Sequence, residues 1–295
     1  MEPQRLPIVL AHGIARFDIL RQIFIDTLRL NELEIGDGLH YFKGIKSHLE
    51  HHGFEVHHTN VDFAAGVDRR AMQLSEQVDQ ILAGRAIGKV HIIAHSMGGL
   101  DARHMIVDVP GMAEKIASVT TIGTPHNGTT FADFGIARGA PLVIDALRSV
   151  IHLEGFKDLT TESCWTFNER ARDAEARNPV RYETYASSEG RDAVFLPLQP
   201  SWSIIARTEP EHHGENDGLV SVASQLWTDV LVAKDGRQKN VLHGFFKVKA
   251  DHLNEAGWWD PQETNPIVGL VTAAKEARTF EAKIKEEYLN IARNL

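Results

Sequence analysis

Residues Lys89 to Asp108 read KVHIIAHSMGGLDARHMIVD, and the order of residue types in this stretch decides the fold. Val90 to Ala94 is an apolar run of strand length that stops at Ser96. Gly98 and Gly99 follow, and Leu100, Arg103, His104 and Val107 then recur at helical spacing. Strand, sharp turn carrying a serine, and helix together form a nucleophile elbow. So tight a turn holds its serine in a strained backbone conformation, and the residues two before and two after must be small. Here they are Ala94 and Gly98; alanine adds one methyl group and still fits. The turn lifts Ser96 Oγ clear of the sheet, where a histidine approaches from one side and a substrate from the other.

Outward from the elbow, apolar and helical segments alternate. Leu6 to Leu10 is a short apolar run leading into His12-Gly13-Ile14. Ile19 to Leu30 reads as a helix, Gly36 to Gly38 as a turn, and Tyr41 to His52 as a helix feeding a strand over Phe54 to Asn60. Arg70 to Leu82 is a clearer helix, with Ala71, Leu74, Val78, Ile81 and Leu82 on one face and Gly84 just past its end. Ile116 to Ile122 is a strand rich in β-branched residues. Strand, helix, strand in this order indicates an α/β fold with a parallel sheet and right-handed crossovers. The loop Gly123-Thr124-Pro125-His126-Asn127-Gly128 then lies over the carboxyl edge, where ligands bind in such sheets.

From Pro141 to Leu153 the rhythm changes. Val143, Ile144, Leu147, Val150 and Ile151 fall on one arc of a helix, which is expected to act as a lid over an apolar site. Gly155 to Asn178 reads as loop and helix. Val180 to Ser187 and Ser201 to Arg207 read as strands, Leu219 to Val222 as a short segment, Phe245 to Val248 as a last strand, and Leu270 to Leu295 as a docked helix. No linker or repeat interrupts the chain. One domain over 1–295 is expected, with a lid or cap insertion at about 129–160.

Composition narrows the function classes. The chain has 295 residues, 43 % hydrophobic and 24 % charged, enough to bury a sizeable core. A net charge of -9 argues against nucleic acid or an anionic membrane surface as partner. The single cysteine, Cys164, excludes an intramolecular disulfide and reads as a small buried apolar group. No run approaches the roughly 18 apolar residues of a membrane span. The start MEPQRLPIVLAHG carries no basic region followed by an apolar stretch and cleavage site. The protein is therefore expected to stay inside the cell, or to be exported with its leader already removed.

A serine hydroxyl is a weak nucleophile until a neighbouring base takes its proton. On a sheet with this elbow the partners follow in the order serine, acid, histidine, each after a later strand. Asp217, in Glu215-Asn216-Asp217-Gly218, follows the expected strand ending near Arg207; Asp192 and Asp229 are its rivals. His252 follows the last expected strand, and His243 precedes it. Of the 16 histidines, His91 reads as a strand residue, and His95 and His126 as pocket lining. His48, His51, His52, His57 and His58 read as a solvated surface group, because no cysteine or carboxylate completes a recognised ligand spacing. The oxyanion formed by attack on a carbonyl calls for two backbone N–H donors, which map to Met97 and Ile14.

Several motifs, taken together and in order, resemble the bacterial true lipases of the Pseudomonas and Burkholderia type: HGI at His12, AHSMGG at Ala94, GTPHNG at Gly123, FADF at Phe131, NDGLV at Asn216 and DHLNE at Asp251. Arg70-Ala71-Met72-Gln73-Leu74 with Gln77-Val78 is similar to theirs as well. The resemblance implies an α/β-hydrolase fold, hydrolysis of long-chain acylglycerols, and a helical lid that opens at an oil–water interface. It carries the nucleophile onto Ser96, the acid onto Asp217, the base onto His252 and the oxyanion donors onto Ile14 and Met97. It also implies that Arg70 steadies the oxyanion loop. Three departures stand out. Many relatives are exported with a leader and a disulfide, and this chain shows neither. The family's structural calcium uses an aspartate two residues after the histidine, which is Asn254 here, a poorer ligand for a hard dication. The first elbow position is Ala94, which fits sterically. The expectation is thus a triacylglycerol lipase acting on a lipid or ester substrate, with no metal and no cofactor, no nucleic-acid partner and no transmembrane segment. The alternatives are an esterase for short soluble esters or polyesters, and an acyl-binding protein without catalysis.

Overall fold

A computed structural model describes residues 5–14, 40–86, 88–138, 155–258 and 270–295, the side chains of 137–138 and 270–274 excepted. The expected helix Ile19–Leu30, the turn Gly36–Gly38 and the lid helix Pro141–Leu153 lie outside these residues. The strands are Ile8–Ala11 (β1), Val56–His58 (β2), Val90–His95 (β3), Ile116–Ile122 (β4), Arg181–Ala186 (β5), Val230–Val232 (β6), Gln238–Asn240 (β7) and Leu242–Phe245 (β8). Six of them form one sheet in the order β2-β1-β3-β4-β5-β8, and every pair in it is parallel. β6 and β7 make a separate antiparallel pair. The helices are Ile45–His51 (α1), Val67–Leu82 (α2), Met97–Asp108 (α3), Met112–Lys115 (α4), Thr130–Arg138 (α5), Thr161–Arg177 (α6), Gln199–Thr208 (α7), Val222–Leu226 (α8) and Leu270–Arg293 (α9).

The central strands are apolar nearly end to end because both faces of the sheet are covered. β1 is buried throughout, and alternate residues feed two cores. Ile8 and Leu10 join one with Ile93, Ile45 and Leu49, whereas Val9 and Ala11 join the other with Ile92, Leu74 and Val78. The strand order explains where a ligand binds. The chain runs from β1 outward to β2, then crosses back to place β3 on the other side of β1. Such a reversal opens a crevice outside the carboxyl ends of the two strands, and here these ends carry His12-Gly13-Ile14 and Ser96.

Three elements differ from their sequence reading. Ser201 to Arg207 is not a strand but the body of α7. Pro200 sits in its first turn, where its fixed φ suits a helix. The buried Ser201 and Ile205 are one helical turn apart, so the apolar Trp202, Ile204 and Ile205 reflect a helix face rather than a pleat. The last strand begins earlier than Phe245 and pairs Leu242 with Glu183 and Phe245 with Ala186. It is an edge strand whose Leu242 and Phe245 are 46 % and 56 % exposed, so it carries no core-facing pattern to read. In addition, the helix expected from Tyr41 starts only at Ile45, after Gly44 takes a left-handed φ of 64°.

α3 starts against the end of β1 at a distance that only glycine allows. A Cβ on Gly98 would lie 2.4 Å from the Ala11 carbonyl oxygen and 2.8 Å from that of His12, both backbone atoms. Gly98→Ala is therefore expected to destabilise the fold by about 1–3 kcal/mol through overpacking, measured by urea unfolding. Unchanged stability would contradict this close approach.

Candidate functional site

Ser96 is the residue between β3 and α3, and its backbone is strained, with φ 57° and ψ -136°. The turn is held on both sides: Ser96 N donates to Ile122 O at 2.9 Å, and its carbonyl accepts from Thr124 Oγ1 at 2.8 Å. The side chain meets His252, whose Nε2 is 2.8 Å from Ser96 Oγ. His252 Nδ1 is in turn 2.8 Å from Asp217 Oδ2. All three side chains are buried. The Asp217 carboxylate is fixed by neighbours: Oδ1 accepts from Leu219 N at 2.8 Å and Val220 N at 2.7 Å, and Oδ2 from Gln225 Nε2 at 3.2 Å. His252 N also donates to Asp217 O at 2.9 Å, tying the two loops directly. The structure thus brings Ser96, Asp217 and His252 together. The rivals do not join them: Asp229 pairs with His243 at 3.1 Å, and Asp192 is an exposed partner of Arg191.

On the other side of Ser96 lies the loop after β1. A Cβ on Gly13 would come within 2.7 Å of Ser96 Cβ and 2.8 Å of Tyr41 Oη, so the loop reaches the serine only as glycine. Ile14, the next residue, lines the cavity at Ser96. Met97 opens α3, where the first amides of a helix have no intrahelical partner. Arg70 is fully buried and locks this arrangement. Its Nη2 donates to His12 O at 2.7 Å and Nη1 to Asp62 O at 3.1 Å, while Nε and Nη2 grip Asp101 at 3.0 and 2.7 Å. His12 itself accepts from Val61 N through Nε2 at 3.2 Å, which leaves its Nδ1–H to donate to Gly13 O at 2.8 Å. Burial and the nearby Arg70 push His12 down to about 3, keeping this ring neutral.

Asp101 was missed from the sequence, although a carboxylate inside the buried Leu100 to Ala102 segment signals a buried cation partner. A second network was missed too. Tyr41 Oη lies 2.7 Å from His95 Nδ1, His95 Nε2 lies 3.0 Å from Glu255 Oε2, and Ser187 Oγ donates to Glu255 Oε1 at 2.6 Å. Glu255 Oε2 is also 3.8 Å from His252 Nδ1. Burial raises the Glu255 carboxyl well above its ordinary range, and the negative Asp217 adds to the shift. Burial likewise lowers His95 well below its ordinary value. Of the expected pocket histidines, His95 therefore supports the site from beneath. His126 is turned elsewhere, 3.2 Å from Arg103 Nη1 and stacked on Trp227.

The cavity at Ser96 is about 30 Å³, with apolar walls that include Ile14, Phe131, Phe156, Leu159, Leu219 and Val220. In this conformation it admits a water molecule or two. The calcium-ligand position of the resembled family carries a neutral amide here, Asn254. Asn254 Oδ1 accepts from Asp251 N at 3.1 Å and its Nδ2 donates to Trp258 O at 2.8 Å. The Asp251 oxygens are taken by the amides of Phe195, Leu253 and Asn254 at 2.7, 2.9 and 2.8 Å.

Comparison with known proteins agrees with this architecture. A family model described as the alpha/beta hydrolase fold matches residues 7–149. The chain is 38 % identical over 288 residues to a triacylglycerol lipase of Pseudarthrobacter phenanthrenivorans, covering 77 % of this chain and 85 % of that one. It is also 38 % identical over 288 residues to a triacylglycerol lipase of Burkholderia plantarii, covering 77 % and 75 %. Among solved structures it is similar to the Staphylococcus hyicus lipase, with TM-score 0.61, 18 % identity and coverage of 99 % and 97 %. A metagenomic carboxyl esterase gives TM-score 0.62 at 20 % identity, covering 98 % and 76 %.

The raised Glu255 carboxyl makes stability depend on pH. A carboxyl with a higher pKa folded than unfolded stabilises the fold below its unfolded value of about 4.5, and that contribution is lost as pH rises. Glu255→Gln stays neutral, so its stability relative to the parent should climb as pH rises above about 4.5, until the folded carboxyl itself ionises. The limit is about 1.4 kcal/mol per pH unit, the slope for one proton. Urea unfolding of both proteins at several pH values checks this, and a pH-independent difference would refute it.

Proposed function

The chain belongs to the bacterial lipases of the α/β-hydrolase superfamily, and on that premise we propose that it hydrolyses long-chain acylglycerols through Ser96, His252 and Asp217. The observation that carries this reading is the pair of 2.8 Å contacts from Ser96 Oγ to His252 and from His252 to Asp217, beside an apolar cavity. His252 Nε2 takes the Ser96 proton as Oγ attacks the ester carbonyl. The N–H groups of Ile14 and Met97 receive the developing oxyanion, and Arg70 steadies the Ile14 loop through His12 O. Asp217 holds the Nδ1–H tautomer and balances the imidazolium. The imidazolium then protonates the leaving alcohol, and water activated by the same ring clears the acyl-enzyme. Each step uses groups of this chain alone, so the reading calls for no cofactor.

The reading also takes 1–295 as one domain with a lid at about 129–160, opening toward an oil–water interface. No helix among the described residues is long and apolar enough to cross a membrane. A second reading, an esterase for short soluble esters, uses the same three side chains on a different substrate. The two differ in their response to substrate state. A lipase gains rate when its ester passes the solubility limit and accepts emulsified long-chain triacylglycerols. An esterase shows hyperbolic rates on dissolved short esters and neglects emulsions.

Ser96→Ala should fold normally and lose about 10⁶ in kcat, as removal of the nucleophile does in other serine hydrolases. Assays on dissolved and emulsified esters of increasing acyl length, with circular dichroism as the folding control, test both points. Parent-like turnover in the folded variant would refute the role of Ser96.

A further inference from the structure

The cleft between the start of α2, the middle of α3 and the start of α6 is lined by Asp68, His104, Asp158, Glu162 and Arg170. It belongs to none of the chemistry assigned above. His104 lies on α3 and is 9 % exposed. Its Nδ1 is buried yet makes no hydrogen bond, although two carboxylate oxygens are close: Asp108 Oδ2 at 3.2 Å and Asp68 Oδ1 at 3.5 Å. These separations have a simple meaning. Ligand atoms bound at about 2.0–2.1 Å around a tetrahedral ion stand about 3.3–3.4 Å apart. Each oxygen therefore stands from the nitrogen at about the spacing an ion between them would impose, and all three atoms lie within 4.8 Å of one another.

We infer that His104, Asp68 and Asp108 form a binding site for a divalent transition-metal ion of the zinc type, with water completing the coordination. A mixed set of one imidazole and two carboxylates suits zinc better than calcium or magnesium, which take oxygen alone. The ring is held flat on Phe167, with centroids 3.7 Å apart and planes at 12°, so its nitrogen is aimed before the ion arrives. Asp108 is oriented from outside by Arg170, whose Nη1 donates to Oδ1 and whose Nη2 donates to Oδ2 at 2.9 Å. The second contact uses one lone pair of Oδ2 and leaves another for the ion. The Arg170 charge opposes the ion, so binding is expected to be weaker than at a closed structural zinc site. The cleft's remaining carboxylates, Asp158 and Glu162, favour a cation.

Such an ion joins the first turn of α2 to α3. α2 also carries Arg70, and α3 carries Asp101 and follows Ser96, so binding should stiffen the scaffold without touching the reacting atoms.

The test is calorimetric titration of the full chain with Zn²⁺ after treatment with a chelator, together with thermal unfolding. The expected result is one saturable equivalent and a raised unfolding temperature. Asp68→Ala, an exposed position that leaves the core intact, and His104→Gln should each weaken this equivalent by about tenfold or more. A His48→Ala, His52→Ala double variant should keep it. No saturable uptake at millimolar Zn²⁺, uptake unchanged in Asp68→Ala, or uptake lost in the His48, His52 variant would overturn the inference. If His104→Gln does not fold, Asp68→Ala alone decides.

Discussion

The first turn of α3 lies against the carbonyl end of β1 closer than any side chain would allow, and the functional face is arranged around that contact. Gly98 lets α3 approach the Ala11 and His12 carbonyls, and Gly13 lets the loop of β1 approach Ser96. Backbone from two neighbouring strands therefore meets around one hydroxyl at the place where the sheet order reverses. The strain of Ser96, at φ 57°, is sustained because both its N–H and its carbonyl are bonded to β4 and the residues just after it. The buried Arg70–Asp101 pair extends the same arrangement. It is costly to desolvate and gains from each further bond, and Arg70 uses its remaining donors on the carbonyls of His12 and Asp62.

Charge around His252 is ordered as well as placed. Two carboxyl groups face its Nδ1, Asp217 Oδ2 at 2.8 Å and Glu255 Oε2 at 3.8 Å. Two like charges in one buried site do not both ionise. Asp217 is held by two backbone amides and the Gln225 side chain, whereas burial and the charge on Asp217 push Glu255 toward its neutral form. One negative charge therefore faces the imidazole. The chain from Glu255 through His95 to Tyr41 then reaches the underside of the Gly13 loop, joining the two halves of the site with neutral groups.

What the sequence revealed follows from what was buried. β4 was legible to its limits, because Ile116 to Ile122 is apolar or β-branched at nearly every position and buried at nearly every position. β8 was not, because its large side chains point to solvent at the sheet edge. Asp217 was reached through a supposed strand that is α7; chain order and the Asp-Gly turn sufficed even so. Ser96 and His252 were readable because tight turns and strand ends leave local signatures. Asp101 and Glu255 act through partners tens to more than a hundred residues away, and spacing along the chain does not encode such pairings. The role of Arg70 came from family resemblance, and its grip on Asp101 and His12 emerged only in three dimensions.

The proposed chemistry requires that the Ser96 hydroxyl be activated by the imidazole it touches. A fluorophosphonate probe attacks only an activated serine, and peptide mass spectrometry locates the adduct. Rapid modification at Ser96 alone is expected, with its near disappearance in a folded His252→Ala variant. An adduct on another serine, or equal labelling of Ser96 without His252, would contradict it.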